Sequence, residues 1–281
     1  MEARPEPDAA AMPLIEARPE PDAAATPLLE VRELSKSFRG LQALVNYELR
    51  LPPLTIHGVI GPNGAGKTTL FHLLSGFLRP SSGTISFEGR DITGSAAFRV
   101  SRMGIGRTFQ NIRLFGELSV LDNVKIALQR HSQRSLVGTL ISSPSFRRSE
   151  RELDARAMEL LELFNLAGQR DRSARNLPYG DQRRLEIARA VGIRPKLLLL
   201  DEPNAGMSPI ETQDLLRLIR RLRDELGITI VLVAHDIPLV MNLCERIQVL
   251  NYGRLIAEGD PAAVRANPDV IAAYLGQARH A

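Results

Sequence analysis

A short glycine-rich stretch of the chain has the residue types and spacing needed to hold phosphate groups. It reads GPNGAGKT at 61–68, after a predicted strand and before an apolar helix. Glycines at this spacing let backbone amides turn toward phosphate oxygens, and the helix N-terminus adds positive potential. Lys67 would reach the terminal phosphates as a point charge, and the Thr68 hydroxyl would bind Mg²⁺. The context therefore predicts a nucleoside triphosphate site rather than a chance glycine-rich turn.

Two adjacent acids follow another predicted strand. The run KLLLLDEP at 196–203 is apolar until it ends in Asp201 and Glu202. Parallel sheets bind their ligands at the carboxyl ends of strands. An aspartate there can hold Mg²⁺ through water, and a neighbouring glutamate can orient or deprotonate an attacking water. We therefore expect hydrolysis of the nucleotide, since most kinases with this phosphate loop need no such base.

The elements that must position these residues indicate an α/β fold. Apolar runs predict buried strands at 55–61 and 228–235, and alternation predicts a half-buried strand in LEVRELSKSF. Strand, helix and strand in turn predict a parallel sheet covered on both faces. From Asn111 to Ala190 the pattern is helical. Ser-x-x-Glu sequences at 149–152 and 208–211 predict capping boxes at two helix starts.

The composition is typical of a globular protein in a reducing compartment. Cys244 is the only cysteine in the sequence, so no internal disulfide can form. Five scattered histidines do not pair with it at the spacing of metal ligands, so a structural zinc is not expected. No run approaches the length of a membrane span, and the acidic N-terminus lacks the apolar core of a secretory signal.

The net charge of +4 and the pI of about 9.6 admit several partners. The arginines are spread along helical segments without interleaved aromatics, so no nucleic-acid partner is expected. A nucleic-acid-binding module remains an alternative that rests on the basic charge alone. The basic segment at 130–148 would contact lipid headgroups or a membrane protein, or be a solvated loop.

The N-terminal residues are a tandem repeat. Residues 2–15 recur almost unchanged at 16–29 and are rich in proline, alanine and acid. Such a segment buries too little apolar surface to fold, so residues 1–27 are predicted to be disordered. Either a duplication without function or a start at Met12 would account for it. We expect one folded domain over 28–276 and a short tail at 277–281.

From Leu28 to Gly276 the chain resembles the ATPases of ABC transporters. The phosphate loop, the Gln110 segment RTFQNIRLF, the signature LPYGDQ, the strand ending in two acids, NAGM at 204–207 and His235 occur in the family's order. The resemblance implies a P-loop NTPase with a mainly parallel core sheet, an antiparallel β subdomain and a helical subdomain at about 111–185. It also implies ATP and Mg²⁺ as cofactors.

The resemblance implies a role for each matching residue. Nucleotide-binding residues would be Phe38, Gly61, Pro62, Asn63, Gly64, Ala65, Gly66, Lys67, Thr68, Thr69, Leu177, Pro178, Tyr179, Gly180, Asp181 and Gln182. The catalytic residues would be Lys67, Gln110, Glu202 and His235, and the Mg²⁺ ligands would be Thr68, Gln110 and Asp201. Two subunits would close head-to-tail, each holding ATP between its own phosphate loop and the partner's signature.

Within the family, the chain looks most like the larger ATPase of branched-chain amino acid importers. That resemblance implies a related but different ATPase partner, transmembrane permeases and, indirectly, an external solute-binding protein. It places the chain on the cytoplasmic face of the inner membrane. Urea, amides and lipopolysaccharide export remain alternative cargoes, and a soluble ABC ATPase of translation or DNA repair is a further alternative.

The signature departs from the family pattern at its second residue. Most members have a serine whose hydroxyl contacts the partner's nucleotide, whereas Pro178 has neither a hydroxyl nor an N–H. The amides of Tyr179, Gly180 and Asp181 would still point at an anion from a helix N-terminus. We therefore expect a tolerated variant, with the Asp181 carboxylate turned away toward Arg183 or Arg184.

Overall fold

The computed structural model describes residues 26–129 and 144–275 of the chain. The predictions on the duplicated N-terminal segment, on most of the basic segment and on the C-terminal tail therefore lie outside the described residues. Within the two described ranges, no helix is both long and apolar enough to cross a membrane.

The described residues form two sheets with helices packed around them. The strands are β1 Leu29–Phe38, β2 Leu41–Leu51, β3 Ile56–Ile60, β4 Ser82–Phe87, β5 Arg90–Asp91, β6 Ile105–Arg107, β7 Leu197–Asp201, β8 Thr229–Val233, β9 Arg246–Asn251 and β10 Arg254–Gly259. The helices are α1 Lys67–Leu74, α2 Ala97–Arg102, α3 Val120–Leu128, α4 Pro144–Leu163, α5 Tyr179–Gly192, α6 Pro209–Asp224, α7 Ile237–Leu243, α8 Pro261–Ala266 and α9 Pro268–Leu275.

The larger sheet positions the predicted chemistry. Its order is β10-β9-β3-β8-β7-β6, and all neighbouring pairs are parallel except β10 with β9. Strands β3, β7 and β8 are buried along their whole length, as their apolar runs predict. Because parallel strands end at the same edge, the phosphate loop after β3 and the acids at the end of β7 come together there. The predicted mainly parallel core sheet is confirmed.

The smaller sheet is antiparallel, in the order β2-β1-β4-β5, as predicted. Its apolar face packs on the larger sheet and on α1 in one continuous cluster that includes Leu29, Val59, Phe71 and Leu199. This shared core holds the start of α1, and with it the phosphate loop, against both sheets.

The helical part of the chain contains one correct and one wrong prediction of a helix start. Ser208 caps α6, because its hydroxyl accepts from the Glu211 amide at 3.3 Å and its own amide donates to the Glu211 carboxylate at 2.8 Å. The capping box at 149–152 is wrong, because α4 begins at Pro144 and these residues lie inside the helix. Proline is favoured in the first turn of a helix, and Ser-x-x-Glu is also compatible with a helix interior.

Candidate functional site

The phosphate loop joins β3 to α1 and needs its glycines for two close approaches. Gly61 and Gly66 have φ angles of +152° and +103°. A Cβ at Gly61 would lie 2.1 Å from the Leu250 carbonyl oxygen, and one at Gly66 would lie 2.5 Å from that of Ala43. Only glycine tolerates this backbone and this proximity. The loop therefore packs closely against β2 and the end of β9.

Lys67 is a buried cation at the base of this loop. Its ammonium donates to the carbonyl oxygens of Gly61 at 2.6 Å and Pro62 at 2.9 Å. Burial lowers the pKa of Lys67, and the nearby Glu202 and Asp201 carboxylates oppose that shift. The loop thus holds a positive charge beside its own amides, where a phosphate would sit.

Glu202 is the centre of a second group of polar side chains. Its backbone is left-handed, with φ of +48°, a strained conformation for a residue other than glycine. One carboxylate oxygen lies 2.6 Å from Nε2 of His235, and the other accepts from Nε2 of Gln110 at 3.4 Å. Side chains from two other segments therefore contact the Glu202 carboxylate, as a base that is held in place would require.

Asp201, which precedes Glu202 in the sequence, is almost completely buried. Its Oδ2 pairs with the Arg107 guanidinium at 3.1 Å, and its amide donates to the Thr108 hydroxyl at 3.2 Å. Oδ1 is not part of this ion pair. Together with the Thr68 hydroxyl and the Gln110 amide, it offers the oxygen donors that Mg²⁺ prefers. This set of donors fits a magnesium ion that binds together with the nucleotide phosphates.

Most of the phosphate loop, together with Glu202 and the two side chains that contact it, lines one cleft of about 690 Å³, a volume suited to a nucleotide, whereas Gly61, Pro62 and Asp201 are not in its lining. The lining residues are Gly40, Leu41, Gln42, Ala43, Asn63, Gly64, Ala65, Gly66, Lys67, Thr68, Thr69, Gln110, Glu202, His235 and Tyr252. Phe38 lies beside the cleft rather than in its lining. Its ring is half-exposed, with the Lys36 ammonium 5.0 Å from the ring centroid. Its stacking on a base stays a prediction.

The signature residues 177–182 do not line this cleft. Pro178 is the N-cap of α5, with φ of −53° and ψ of 151°. The amides of Tyr179, Gly180 and Asp181 have no acceptor within the helix, so they could donate to an anion. The Gln182 side chain turns back to the carbonyl oxygen of Leu177 at 2.9 Å. The start of α5 therefore lies outside the lining of the cleft that contains the phosphate loop, and anion binding by its amides stays a prediction.

Asp181 was predicted to turn toward Arg183 or Arg184, and of these two it faces Arg184. One Asp181 oxygen lies 3.5 Å from Nη1 of Arg184, and the other accepts from Nε2 of Gln169 at 2.7 Å. Its charge is thus neutralised within the subunit.

Two residues at the site, Arg107 and Tyr252, were not among those that the sequence patterns predicted. Arg107 is the last residue of β6 and pairs with Asp201, which lies 94 positions later in the sequence. No local sequence pattern predicts this contact. Tyr252 lies in the turn between β9 and β10 and is 83% exposed at the mouth of the cleft. An aromatic residue in the tight turn NYG was the available signal for the second.

Two family profiles match the sequence. The family described as ABC transporter matches residues 44–205, and the family described as branched-chain amino acid ATP-binding cassette transporter matches residues 254–280.

Similar proteins match along most of the chain. The high-affinity branched-chain amino acid transport ATP-binding protein BraF of Pseudomonas aeruginosa is 46% identical over 245 residues, which are 87% of this chain and 96% of BraF. LivG of Escherichia coli K12, whose name describes the same role, is 47% identical over the same shares.

The fold agrees with those of solved ATP-binding cassettes. A nucleotide-free cassette from an ABC transporter aligns with a TM-score of 0.76 at 29% identity, over 88% of this chain and 98% of that one. A cassette in its ADP conformation aligns with the same TM-score at 28% identity, over 90% of this chain and 100% of that one.

Proposed function

We propose, from the premise that this chain belongs to the ABC transporter family of ATPases, that it hydrolyses ATP to drive a membrane importer of branched-chain amino acids. The observation that supports branched-chain amino acids as the cargo is the 46% and 47% identity to BraF and LivG across 96% of each. The match at 254–280 to the branched-chain family supports the same cargo.

The phosphate loop binds the nucleotide. Its amides and the Lys67 ammonium bind the β- and γ-phosphates, and Thr69 lies at the start of the same helix to extend the contacts. Residues 40–43 line the cleft, and Phe38 precedes them in the chain, so these residues would contact the base. Thr68, Gln110 and Asp201 would hold Mg²⁺, which would neutralise part of the phosphate charge.

Hydrolysis belongs to Glu202. Its carboxylate takes a proton from the attacking water, and the two side chains that contact it keep it aimed at the cleft. His235 lines the same cleft, so its imidazole is also available to the terminal phosphate. These roles for Glu202, His235 and Gln110 are part of the proposal.

The signature turn serves a second subunit. The amides of Tyr179, Gly180 and Asp181 have no acceptor within the helix, and these residues are outside the lining of the chain's own cleft. A head-to-tail partner would therefore bring its ATP to them. The partner is a related, different ATPase chain. Each nucleotide is then enclosed by one chain's phosphate loop and the other chain's signature.

Replacing Pro178 with serine is expected to change ATP turnover of the assembled transporter by less than about tenfold, because one neutral hydrogen bond is worth roughly 0.5–1.5 kcal/mol. The amides that follow already face the anion. The measurement is the steady-state ATPase rate of wild type and Pro178→Ser in membranes. A rise in the ATPase rate by several orders of magnitude would show that the proline inactivates the site.

An exposed groove of about 400 Å³ is suited to the permease subunits. It is lined by Phe77, Phe109 and Arg113 among others. Phe77 is a large exposed apolar side chain, and so is Phe98, which follows the lining residue Ala97. Exposed apolar clusters of this kind favour a protein partner. Docking here holds the chain peripherally at the cytoplasmic face of the inner membrane, while the external solute-binding protein acts through the permeases.

The function is tested by uptake of labelled leucine in cells carrying Lys67→Ala. Uptake is expected to fall at least about tenfold, since charge-assisted hydrogen bonds contribute about 1.5–3 kcal/mol and 1.4 kcal/mol is a factor of ten. Unlabelled isoleucine and valine are expected to compete, and urea is not. Lys196→Ala is the matched control, because Lys196 pairs with Glu88 away from the cleft.

Two outcomes would contradict different parts of the proposal. Unchanged leucine uptake, with ATP binding lost in the purified Lys67→Ala protein, would reject the cargo and keep the ATPase. Unchanged ATP binding would reject the nucleotide site itself.

A further inference from the structure

Arg183 occupies an unusual position for a charged side chain. It lies in the first turns of α5, four residues after Tyr179 of the signature, and is the largest fully buried side chain among the described residues. Burial of an unpaired guanidinium is costly, so its partners must account for its presence.

The guanidinium reaches two segments that are far apart in sequence. Nη1 donates to the Phe109 carbonyl oxygen at 2.7 Å and to the Glu186 carboxylate at 2.8 Å. Nη2 donates to the Gln110 carbonyl oxygen at 2.9 Å and to the Tyr179 hydroxyl at 3.3 Å. One planar side chain thus connects the signature turn with the backbone of the residue whose side chain enters the cleft.

Glu186 binds the same segment, but through backbone amides rather than carbonyl oxygens. Its Oε1 accepts from the amides of Phe109 at 3.2 Å and Arg113 at 3.3 Å. The pair Arg183 and Glu186 therefore binds both carbonyls and amides around Gln110. Movement of this segment relative to α5 would break several charge-assisted hydrogen bonds at once.

Both ends of this connection lead to functional groups. The Gln110 side chain donates to Glu202 at 3.4 Å. At the other end, the Tyr179 ring lies against Gly206, where an added Cβ would be 2.9 Å from Cε1, and about half of this tyrosine is exposed. Each step from Glu202 through Gln110 and Arg183 to Tyr179 is a direct contact.

We infer that Arg183 is a positioning residue that couples the two nucleotide sites of the dimer. It makes the signature turn, which faces the partner's ATP, move with Gln110, which lines the subunit's own cleft. Nucleotide in one site thereby changes the geometry offered to the other, a coupling between two distinct sites. This inference rests on the proposed head-to-tail dimer.

The chemistry of the side chain provides a sharp test. Lysine keeps the charge but has a single ammonium without the planar fork, so it cannot serve both carbonyls, Glu186 and Tyr179 together. Arg183→Lys is expected to lower the ATPase rate of the assembled transporter about tenfold. ATP affinity of the full-length chain alone is expected to stay within about twofold, because Arg183 does not line the cleft.

A double-mutant cycle distinguishes coupling from a general structural role. If Arg183 acts through Gln110, then adding Arg183→Lys to Gln110→Ala lowers the rate by less than about twofold further. Arg184→Lys is the matched control on the same helix, because its ion pairs with Asp181 and Asp214 suit a lysine. Its ATPase rate is expected to equal that of wild type.

Three results would overturn the inference: an unchanged rate for Arg183→Lys, losses that multiply in the double mutant, or a parallel loss of ATP affinity. If Arg183→Lys does not fold, Tyr179→Phe carries the test. It removes only the hydroxyl acceptor and is expected to lower the rate about threefold, again without a further effect in Gln110→Ala. A wild-type transporter without ATPase activity would instead reject the proposed function.

Discussion

Replacing Glu202 with glutamine is expected to lower ATP turnover by about 10²–10⁴-fold, the usual contribution of a general base. The amide has nearly the same shape but cannot accept the proton of the attacking water. It can still contact Gln110 and His235, which both reach this side chain in the cleft. ATP affinity is expected to change little, because the phosphate loop and Lys67 hold the phosphates. Steady-state ATPase rates and equilibrium ATP binding, measured on the same protein, separate the two effects.

The control for this substitution is Glu225→Gln. Glu225 is the C-cap of α6, is exposed and pairs with Arg221 away from the nucleotide cleft. Its loss should leave turnover unchanged. If Glu202→Gln retained more than a tenth of the wild-type rate, another group would have to be the base. If it lost ATP binding as well, Glu202 would have to be a binding residue.

Replacing Arg107 with methionine is expected to destabilise the protein by about 3–5 kcal/mol, because it leaves the Asp201 carboxylate buried without its cation. Both side chains of this ion pair are 5% exposed, so water does not compensate the loss. Arg107 also donates to the Ser75 hydroxyl at 2.7 Å and lies among the rings of Phe71, Phe77 and Phe109, 5.0–5.7 Å from their centroids. The measurement is the urea midpoint of the full-length chain.

The double substitution Arg107→Met with Asp201→Asn tests the cause. It removes both charges, so most of the stability is expected to return. Arg175→Met is a control at an exposed pair with Glu117, where a change below about 1 kcal/mol is expected. Equal destabilisation in the single and double variants would mean that packing against the aromatic rings, rather than the ion pair, accounts for the loss.

Local patterns were sufficient for much of the fold and for part of the candidate site. The phosphate loop, the apolar strands before it and before Asp201, and the capping box at Ser208 each depend on residues within a few positions of one another. The parallel order of strands then placed the loop and the acids at one edge. The same local reasoning put a helix start at 149–152 and was wrong, because it could not weigh that pattern against Pro144.

By itself, the sequence determined the phosphate loop, the acidic strand end and the family resemblance, because each depends on short motifs of neighbouring residues. Only the tertiary structure decided which distant groups meet. Arg107 pairs with Asp201 across 94 positions, and Arg183 binds the backbone of Phe109 and Gln110 across 74 and 73 positions. Strand order and the packing of α5 select these contacts. A buried guanidinium must find its acceptors wherever the fold brings carbonyls and carboxylates within reach, and no spacing along the chain records that choice.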